Sequence, residues 1–347
     1  MRGLKSRFLA RPLVNVRNYL TLQFPLNNAT IFLYKIFRIL ALAVLNVTFN
    51  PKIFFFTGNL QISRTSFKYV ENPLVSIILP TYNHGEFIKS AIQSILDQDF
   101  YNFELILIND GSTDGTSEII REYCSDSRIK IIEQKNQGLP KTLNIGFSVA
   151  KGDFLTWTSA DNLFSKNAIS DLLRAANRET NSGVFYSDFQ AINQDGFPLE
   201  DNNPWRIYDR DKANKSVVRV KRRGNFFREV PANFVGPYFL YRASLGERLK
   251  GYSNTPGIED WDFWLRMQFL TNFEFVHTTG LNYKYRVHSN SMSENLDVES
   301  NFLRTLELVL GITKKRLATN DLSAKIDPII AEGLYAQFYP ERMRADE

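Results

Sequence analysis

Residues 74–83 have the sequence LVSIILPTYN, an apolar run that ends at Pro80 and is followed by three polar side chains. A short run that is apolar almost throughout is typical of a strand covered on both faces in a parallel sheet. The stretch therefore predicts a buried strand with a polar loop behind it. An α-helix is predicted over 86–97 because apolar side chains recur there at helical spacing: Phe87, Ile88, Ala91, Ile92 and Ile95.

Strands and helices continue to alternate along the chain to about residue 180. Apolar runs and helical spacing predict strands at 103–108, 129–133 and 153–158 and helices at 115–123, 140–150 and 166–177. Such alternation predicts an α/β fold with a mostly parallel sheet flanked by helices. Ligands of these sheets bind beyond the carboxyl ends of the strands. Polar residues follow three of the predicted strands, at 81–83, 109–110 and 159–162.

Composition divides the chain into four parts. We predict a basic and apolar N-terminal arm at 1–70, a body at 71–290 with halves at 71–180 and 181–290, and a helical extension at 291–347. The second half of the body is less regular than the first. It carries strand-like pieces at 183–186 and 273–277, a hairpin signal at 194–196 and a predicted helix at 259–270.

The positive charge of the chain is concentrated in the arm. Residues 1–70 hold ten Lys and Arg and no Asp or Glu, which gives +10, whereas the remaining 32 basic and 37 acidic residues give −5. A nucleic-acid-binding protein usually spreads its basic residues over a folded surface. The asymmetry instead favours an anionic membrane surface as the partner of the arm and excludes nucleic acid from the expected partners.

Residues 31–49 form the most apolar stretch of the arm, but Lys35 and Arg38 interrupt it. A spanning helix needs about 20 predominantly apolar residues, so a helix lying in the membrane interface is favoured. A single span and a helix packed on the protein remain alternatives. The lone Cys124 excludes a disulfide scaffold and fits a reducing compartment. We therefore expect a cytoplasmic protein, peripheral at the inner face of the membrane.

Six short segments in this order resemble family 2 glycosyltransferases, which have the GT-A fold. The resemblance covers about residues 73–290 and is carried by 75–83 (VSIILPTYN), 109–114 (NDGSTD), 136–146 (NQGLPKTLNIG), 152–162 (GDFLTWTSADN), 258–261 (IEDW) and 285–288 (YRVH). It implies that 71–180 is the nucleotide-sugar-binding half of the body, that 181–290 is the acceptor and catalytic half, and that the donor is a nucleotide sugar of the UDP, GDP or dTDP type. It also implies inverting transfer of a sugar to a hydroxyl acceptor, for which a lipid-linked saccharide is one candidate.

The resemblance assigns donor contacts to residues near the strand ends. Asp110 is expected to accept a hydrogen bond from the nucleobase, although Asn-Asp-Gly-Ser is also a sound turn sequence. Asp114 either contributes to this site or caps a helix. The implied nucleotide-sugar contacts are Pro80, Thr81, Tyr82, Asn83, Asp110, Asn136, Gly138, Asn144, Ser159, Ala160 and Arg286.

The resemblance places a divalent cation, Mg²⁺ or Mn²⁺, at Asp161 and His288. Such a cation neutralises the charge that develops on a nucleoside diphosphate leaving group. The family usually has Asp-x-Asp at this position, whereas this chain has Ser159-Ala160-Asp161. The first acidic position is thus a serine, which puts the strength of cation binding in question. His84 and His277 are interpreted as structural histidines.

Asp260 is the candidate general base, with Glu259 as a supporting catalytic residue. Transfer with inversion needs a carboxylate near the acceptor to remove its proton. Both residues begin a predicted helix, so they are alternatively first-turn carboxylates that the helix dipole favours. Asp262 is close enough in sequence to be a second candidate for the base.

Two absent motifs narrow the activity. The chain lacks the Gln-x-x-Arg-Trp motif of processive polysaccharide synthases, which favours transfer of a single sugar. It also lacks a Gly-x-Gly-x-x-Gly after the first strand, which argues against a nicotinamide dehydrogenase. A nucleotide-sugar-binding protein without turnover remains the alternative, because Ser159 stands where the family's metal motif has its first acidic residue.

Overall fold

A computed structural model of the chain describes residues 67–199, 209–210, 214, 216–220, 235–254, 259–271 and 275–289. All of them belong to one compact unit, while Met1–Thr65 and Arg228–Val230 group into a second unit that lies outside the described residues. The predicted arm helix at 31–49 and the predicted extension at 291–347 also fall outside the described residues. Within the described part of the chain, no helix is long and apolar enough to cross a membrane.

The first half alternates strands and helices as the sequence predicts. Its elements are β1 (Val75–Thr81), α1 (Ile88–Leu96), β2 (Phe103–Asp110), α2 (Thr116–Arg121), β3 (Ile129–Gln134), α3 (Leu139–Val149), β4 (Phe154–Trp157), β5 (Leu163–Phe164) and α4 (Ala168–Arg178). The boundaries differ from the predicted ones by a few residues. β2, for example, continues through Asn109 and Asp110 instead of ending at Ile108.

The second half contributes shorter elements. They are β6 (Val184–Ser187), β7 (Phe189–Ile192), β8 (Asp209–Arg210), β9 (Val217–Arg219), β10 (Phe239–Arg242), α5 (Ala243–Leu249), α6 (Glu259–Thr271), β11 (Val276–Thr278) and β12 (Tyr283–Arg286). The hairpin predicted at 194–196 is confirmed, because the N–H of Asn193 donates to the carbonyl of Phe197 across the turn.

A seven-stranded sheet forms the centre of the unit, in the order β11-β6-β10-β4-β1-β2-β3. β1 pairs in parallel with β2 and β4, and its first residue, Val75, lies opposite both Phe103 and Phe154. β10 runs antiparallel to its neighbours β4 and β6, so that β6 again points in the direction of β1 and β4. A smaller sheet has the order β5-β12-β7-β9-β8. The predicted mostly parallel α/β fold is therefore confirmed.

The core lies between the large sheet and its helices. β1 is buried along its whole length, and α3 packs on β1 and β2, where Gly146 allows the close approach. A Cβ at Gly146 would lie 2.6 Å from the Ile78 side chain. On the β10 side, the buried guanidinium of Arg242 donates to the carbonyls of Ala176 and Ser182 and so fastens the end of α4 to the sheet. This frame fixes the carboxyl ends of the parallel strands.

Candidate donor and catalytic site

The carboxyl ends of β1, β2, β4 and β6 meet at one edge of the large sheet. The pairing of Thr81 with Asn109 brings the loops after β1 and β2 side by side. Asn83 locks these loops together: its N–H donates to Ser112 Oγ at 3.0 Å, and its Oδ1 accepts from the N–H of Thr113 at 2.8 Å. Asn83 has a φ of 54°, a left-handed conformation that asparagine tolerates.

Four predicted donor contacts, one of them Asn83, lie on β1 or directly after it. Pro80 and Thr81 are buried, and the hydroxyl of Thr81 has no hydrogen-bond partner among the described residues. Tyr82 is 45% exposed and presents its ring at the edge of the sheet. Their expected contact with a nucleotide stays a prediction, and the unpartnered hydroxyl of Thr81 is available for it.

The buried carboxylate of Asp110 organises the loop that precedes α3. It accepts hydrogen bonds from Gln134 Nε2 at 2.7 Å and from the N–H groups of Gln137 and Gly138 at 2.9 Å each. Gly138 has a φ of 82°, which favours glycine, and the exposed Asn136 lies in the same loop. A carboxylate has about four lone-pair sites, so a further bond to a nucleobase stays a prediction for Asp110.

Asp114 acts as a structural cap. Its carboxylate accepts from the N–H of Thr116 at 3.0 Å, at the start of α2, and from the N–H of Gly85 at 2.9 Å. Burial works to raise the pKa of Asp114, but these bonds and the bond from the Thr116 hydroxyl outweigh it, so the pKa is lowered. Of the two predicted roles for Asp114, the structure supports the cap.

Asp161 and His288 meet beyond the end of β4. Asp161 Oδ2 lies 3.1 Å from His288 Nε2, and both side chains are largely buried. Asp161 Oδ1 is also buried and accepts no hydrogen bond from any described residue. Burial works to raise the pKa of Asp161, but the bond to His288, the nearby His84 and the Ser159 hydroxyl lower it, so Asp161 is ionised at neutral pH.

His84 lies within electrostatic range of Asp161 and His288, a position that the sequence analysis did not predict. The charge of Asp161 raises its pKa and that of His288 lowers it, but burial lowers it more, and the pKa is lowered overall. The rings of Phe87 and His288 pack 5.0 Å apart, so the β1 loop borders the pair of Asp161 and His288 directly. The available signal was position, because His84 follows the polar residues after β1.

The side-chain atoms around Asp161 suit a cation whose remaining coordination positions are filled by a bound substrate. Among the described residues, no group of three or more His, Cys, Asp or Glu side chains is placed to hold a metal ion. The unpartnered Oδ1 of Asp161 is a hard oxygen ligand, with His288 beside it. Mg²⁺ in particular is usually bound through one or two carboxylates together with substrate phosphates. Asp161 and His288 fit that arrangement, with Ser159 and the buried Ala160 on the same turn.

Arg286 holds three segments of backbone together. Its Nε donates to the carbonyl of Asp161 at 2.8 Å, and its Nη1 donates to the carbonyls of Asn193, at 3.2 Å, and Gln194. Its guanidinium also lies 4.9 Å over the ring of Phe87. Burial lowers the pKa of Arg286. The predicted contact of Arg286 with phosphate stays a prediction, since these bonds use its Nε and Nη1 for protein carbonyls.

Asn144 joins the two halves of the body. Its Nδ2 donates to the carbonyl of Tyr252 at 2.9 Å, and its Oδ1 accepts from the N–H of the same residue at 2.7 Å. Both ends of the amide are therefore engaged within the protein. A contact between Asn144 and the donor stays a prediction, and its observed partner is the segment that leads towards α6.

The segment before α6 is attached to β4, and Asp260 lies beside it. The indole N–H of Trp157 donates to the Tyr252 hydroxyl at 3.0 Å. Burial raises the pKa of that hydroxyl, with further contributions from Tyr241, Asp260 and Glu259. Asp260 is thus within electrostatic range of Tyr252, whose partner Trp157 is four residues before Asp161.

Asp260 has the environment of a carboxyl group that binds its proton more tightly than an exposed one does. Burial raises its pKa well above the ordinary value, and the charge of Glu259 raises it further. Its Oδ1 is enclosed and accepts no hydrogen bond from the described residues. Both residues stand in the first turn of α6, as predicted. A carboxylate with a raised pKa is a stronger base than an exposed one.

Asp262 is structural. It is fully buried, and its Oδ2 accepts from Arg266 Nε at 2.7 Å and from the Ser253 hydroxyl. Arg266 in turn donates to the carbonyls of Leu249 and Gly251 at 2.9 Å each. This buried ion pair anchors α6 to the end of α5, which excludes Asp262 as an alternative base.

His277 also has a structural partner. It lies 2.8 Å from Asp188, whose carboxylate accepts from Arg219 Nη1 at 2.8 Å and from the N–H of Val220 at 3.0 Å. Burial works to raise the pKa of Asp188, but these partners lower it overall. The cluster joins β6, β9 and β11, in keeping with the structural role expected for His277.

Comparison with known proteins settles the family. The model of glycosyl transferase family 2 matches residues 76–249, about half of the chain. The chain belongs to this family. An uncharacterized glycosyltransferase of Rickettsia prowazekii (strain Madrid E) is 28% identical over 247 residues, which cover 68% of this chain and 74% of that protein. The chain is therefore a glycosyltransferase.

Two solved structures share the architecture. S. aureus TarS 1–349 in complex with UDP-GlcNAc has a TM-score of 0.52 and 18% identity, over 76% of this chain and 71% of that chain. The mannosyltransferase PcManGT from Pyrobaculum calidifontis, in complex with GDP-Man and Mn²⁺, has a TM-score of 0.50 and 17% identity, over 86% and 79%. At this identity, the two likenesses show the GT-A-like fold.

The raised pKa of Asp260 predicts that Asp260→Asn stabilises the protein at neutral pH. The folded state holds the Asp260 proton more tightly than the unfolded chain, so the ionised side chain costs stability as the pH rises through the folded pKa. The variant should therefore unfold at a higher temperature than wild type at pH 7–8, by a margin that shrinks towards pH 4. Thermal melts across this range measure it.

Asp262→Ala is the matched control on the same helix. It leaves the buried Arg266 without its ion-pair partner, which costs about 3–5 kcal/mol. The two neighbouring changes should therefore move the melting temperature in opposite directions. A loss of stability in Asp260→Asn of the size seen in Asp262→Ala would contradict the pKa assignment.

Proposed function

We propose that the chain transfers a single sugar, with inversion and with the help of a divalent cation, from a nucleotide-sugar donor to a hydroxyl acceptor. One observation carries the proposal: Asp161 pairs with His288 at 3.1 Å beyond the end of β4, Asp260 is enclosed in the first turn of α6, and the pKa of Asp161 is lowered while that of Asp260 is raised. Pairs of carboxyl groups whose environments separate their pKa values mark a division of catalytic roles. Asp161 suits a permanent charge for binding, and Asp260 suits a base.

A nucleotide-sugar donor is supported by the ligands of the structural neighbours. TarS was solved with UDP-GlcNAc and with UDP, and PcManGT with GDP-Man. Both neighbours share the GT-A-like fold, and in this chain the carboxyl ends of the parallel strands carry Thr81, Asp110 and Asp161. UDP and GDP donors are therefore the first candidates, with dTDP donors as a third.

Asp161 and His288 would hold the cation, for which Mg²⁺ and Mn²⁺ are the candidates. When bound, the cation would neutralise charge on the diphosphate leaving group. The Mn²⁺ in the PcManGT complex supports this assignment. The protein itself contributes an ionised Asp161, kept charged by His288 and the Ser159 hydroxyl. The closed packing of Phe87 against His288 keeps water away from one side of the pair.

Asp260 would remove the proton of the acceptor hydroxyl as the bond from the sugar to the leaving group breaks. The developing oxocarbenium character makes the anomeric carbon electrophilic, so attack from the face opposite the leaving group inverts its configuration. Glu259 contributes through its charge, which makes Asp260 a stronger base. Ser159, in place of an acid, motivates the second candidate, a protein that binds the nucleotide sugar without turnover.

The basic arm supports peripheral attachment to an anionic membrane, with an acceptor presented at that surface. We expect the full chain to sediment with vesicles that contain phosphatidylglycerol and not with vesicles of phosphatidylcholine alone. Raising the ionic strength to about 1 M, where the Debye length is about 3 Å, should release it. Equal binding to both vesicle types in high salt would contradict an electrostatic attachment.

Thermal unfolding with UDP, GDP, dTDP and CMP, each with and without Mn²⁺, tests the donor site. A nucleotide that binds the folded state should stabilise it by about 2.7 kcal/mol at a hundredfold excess over its Kd. The metal-dependent part of this shift should vanish in Asp161→Ala and persist in Asp114→Ala. Stabilisation by a nucleotide without any metal effect would show that Ser159 marks a metal-independent site.

Transfer assays with Asp260→Asn test turnover. Loss of a general base lowers the rate by about 10²–10⁴-fold, while the stabilisation by nucleotide and Mn²⁺ should remain. The wild-type rate should rise with pH through the raised pKa of Asp260. Undiminished transfer in this variant would remove Asp260 from the role of base. Nucleotide binding without transfer in the wild type would favour the second candidate.

A further inference from the structure

The hairpin that follows β7 lies next to the cation ligands. The carbonyl of Ile192 accepts from the N–H of Val287 at 2.9 Å, and His288 is the next residue. Ile192 also pairs with Pro198 on the second side of the hairpin. The second side and β12, which leads into His288, therefore flank β7 and lie two strand spacings apart, roughly 10 Å.

This hairpin is fixed at two points. Arg286 donates to the carbonyls of Asn193 and Gln194 while its Nε donates to the carbonyl of Asp161. On the opposite side, Gln194 Nε2 donates to Glu86 Oε1 at 2.8 Å. Inside the turn, Asn193 Oδ1 accepts from the N–H of Phe197 at 2.9 Å. The turn that carries Asp161 and the tip of the hairpin are thus held in a fixed relation.

Phe197 is the exposed aromatic residue of this anchored hairpin. Its side chain is 67% exposed, although both its backbone N–H and its carbonyl are bonded to Asn193. A single exposed aromatic ring is ordinary in itself. Here, however, the ring stands on a fixed turn, on the acceptor half of the body, about 10 Å from the strand of His288. Strand β7 lies between the two, so a ligand that reaches from His288 to the ring would lie over β7.

We propose that the Asn193–Phe197 hairpin forms part of the acceptor subsite, with the Phe197 ring as a stacking platform for a pyranose ring of the acceptor. This deepens the proposed function by naming the acceptor as a saccharide and its contact as Phe197. The face of an aromatic ring carries partial negative charge, which attracts the polarised C–H groups on one face of a sugar. Free glycans and lipid-linked saccharides share this chemistry.

The test compares Phe197→Ala, Phe197→Trp and the control Tyr101→Ala in the full chain. Tyr101 is 77% exposed and precedes β2, so it stands at the opposite edge of the sheet. Each protein, loaded with UDP or GDP and Mn²⁺, is applied to an array of immobilised mono- and oligosaccharides. Phosphatidylglycerol vesicles with and without a polyprenyl-phosphate-linked sugar distinguish the lipid-linked source.

We expect Phe197→Ala to weaken saccharide binding about three- to tenfold, the range for one aromatic contact. Phe197→Trp should retain binding and Tyr101→Ala should leave it unchanged. In transfer assays on the saccharides bound, Phe197→Ala should raise the KM for the acceptor and leave the KM for the donor unchanged. All three variants should keep the nucleotide-dependent thermal shift of the wild type, since none removes a donor contact.

Three results would contradict the proposed role of Phe197 in acceptor binding. They are unchanged saccharide binding by Phe197→Ala, an equal loss of binding in Tyr101→Ala, and binding of no saccharide by the wild type. Loss of binding to sugar-free vesicles alone would show that Phe197 contacts lipid and would also contradict that role. The thermal shift separates this outcome from the fate of the proposed function. If nucleotides still stabilise the wild type, the donor site stands without the platform; if none does, the proposed function fails as well.

Discussion

The parallel pairing of β1 with β2 and β4 is the constraint on which the site depends. Because Val75 lies opposite both Phe103 and Phe154, the three strands start level, and their polar continuations emerge at the same edge. The loops are then joined to each other by side chains, such as Asn83 between the first two loops. The edge is therefore a network of fixed loops, which is the preorganisation that a site for a charged donor needs.

Burial alone does not decide the charge of the two central carboxyl groups. It works to raise the pKa of Asp161 as it does that of Asp260, but Asp161 has a histidine and a hydroxyl as partners, whereas Asp260 has the negative Glu259. The partners determine the outcome, since a hydrogen bond to the charged form lowers a pKa and a like charge raises it. One fold thus keeps one carboxylate charged and makes the other a stronger base.

The sequence predicted the parts of this structure that rest on local patterns. The apolar runs of β1 and β2, the first-turn position of Asp260 and the order of the family motifs were all visible in the chain. Contacts between distant residues were not. Asn144 bonds Tyr252, and Arg286 bonds Asn193; such pairs depend on how the two halves pack, which no periodicity encodes. The closeness of His84 to Asp161 was not predicted for the same reason, because the two residues are distant in sequence.

The replacement of an acid by Ser159 follows the same electrostatic logic. A second carboxylate beside the buried Asp161 would raise the pKa of one of the pair, because like charges cannot both ionise cheaply in a buried site. The Ser159 hydroxyl instead favours the ionised Asp161. A site with one carboxylate and two histidines repels a diphosphate less than a site with two carboxylates would. It also holds a lone cation more weakly, so in the proposed reaction cation and nucleotide would bind together, each supplying the charge that the other lacks.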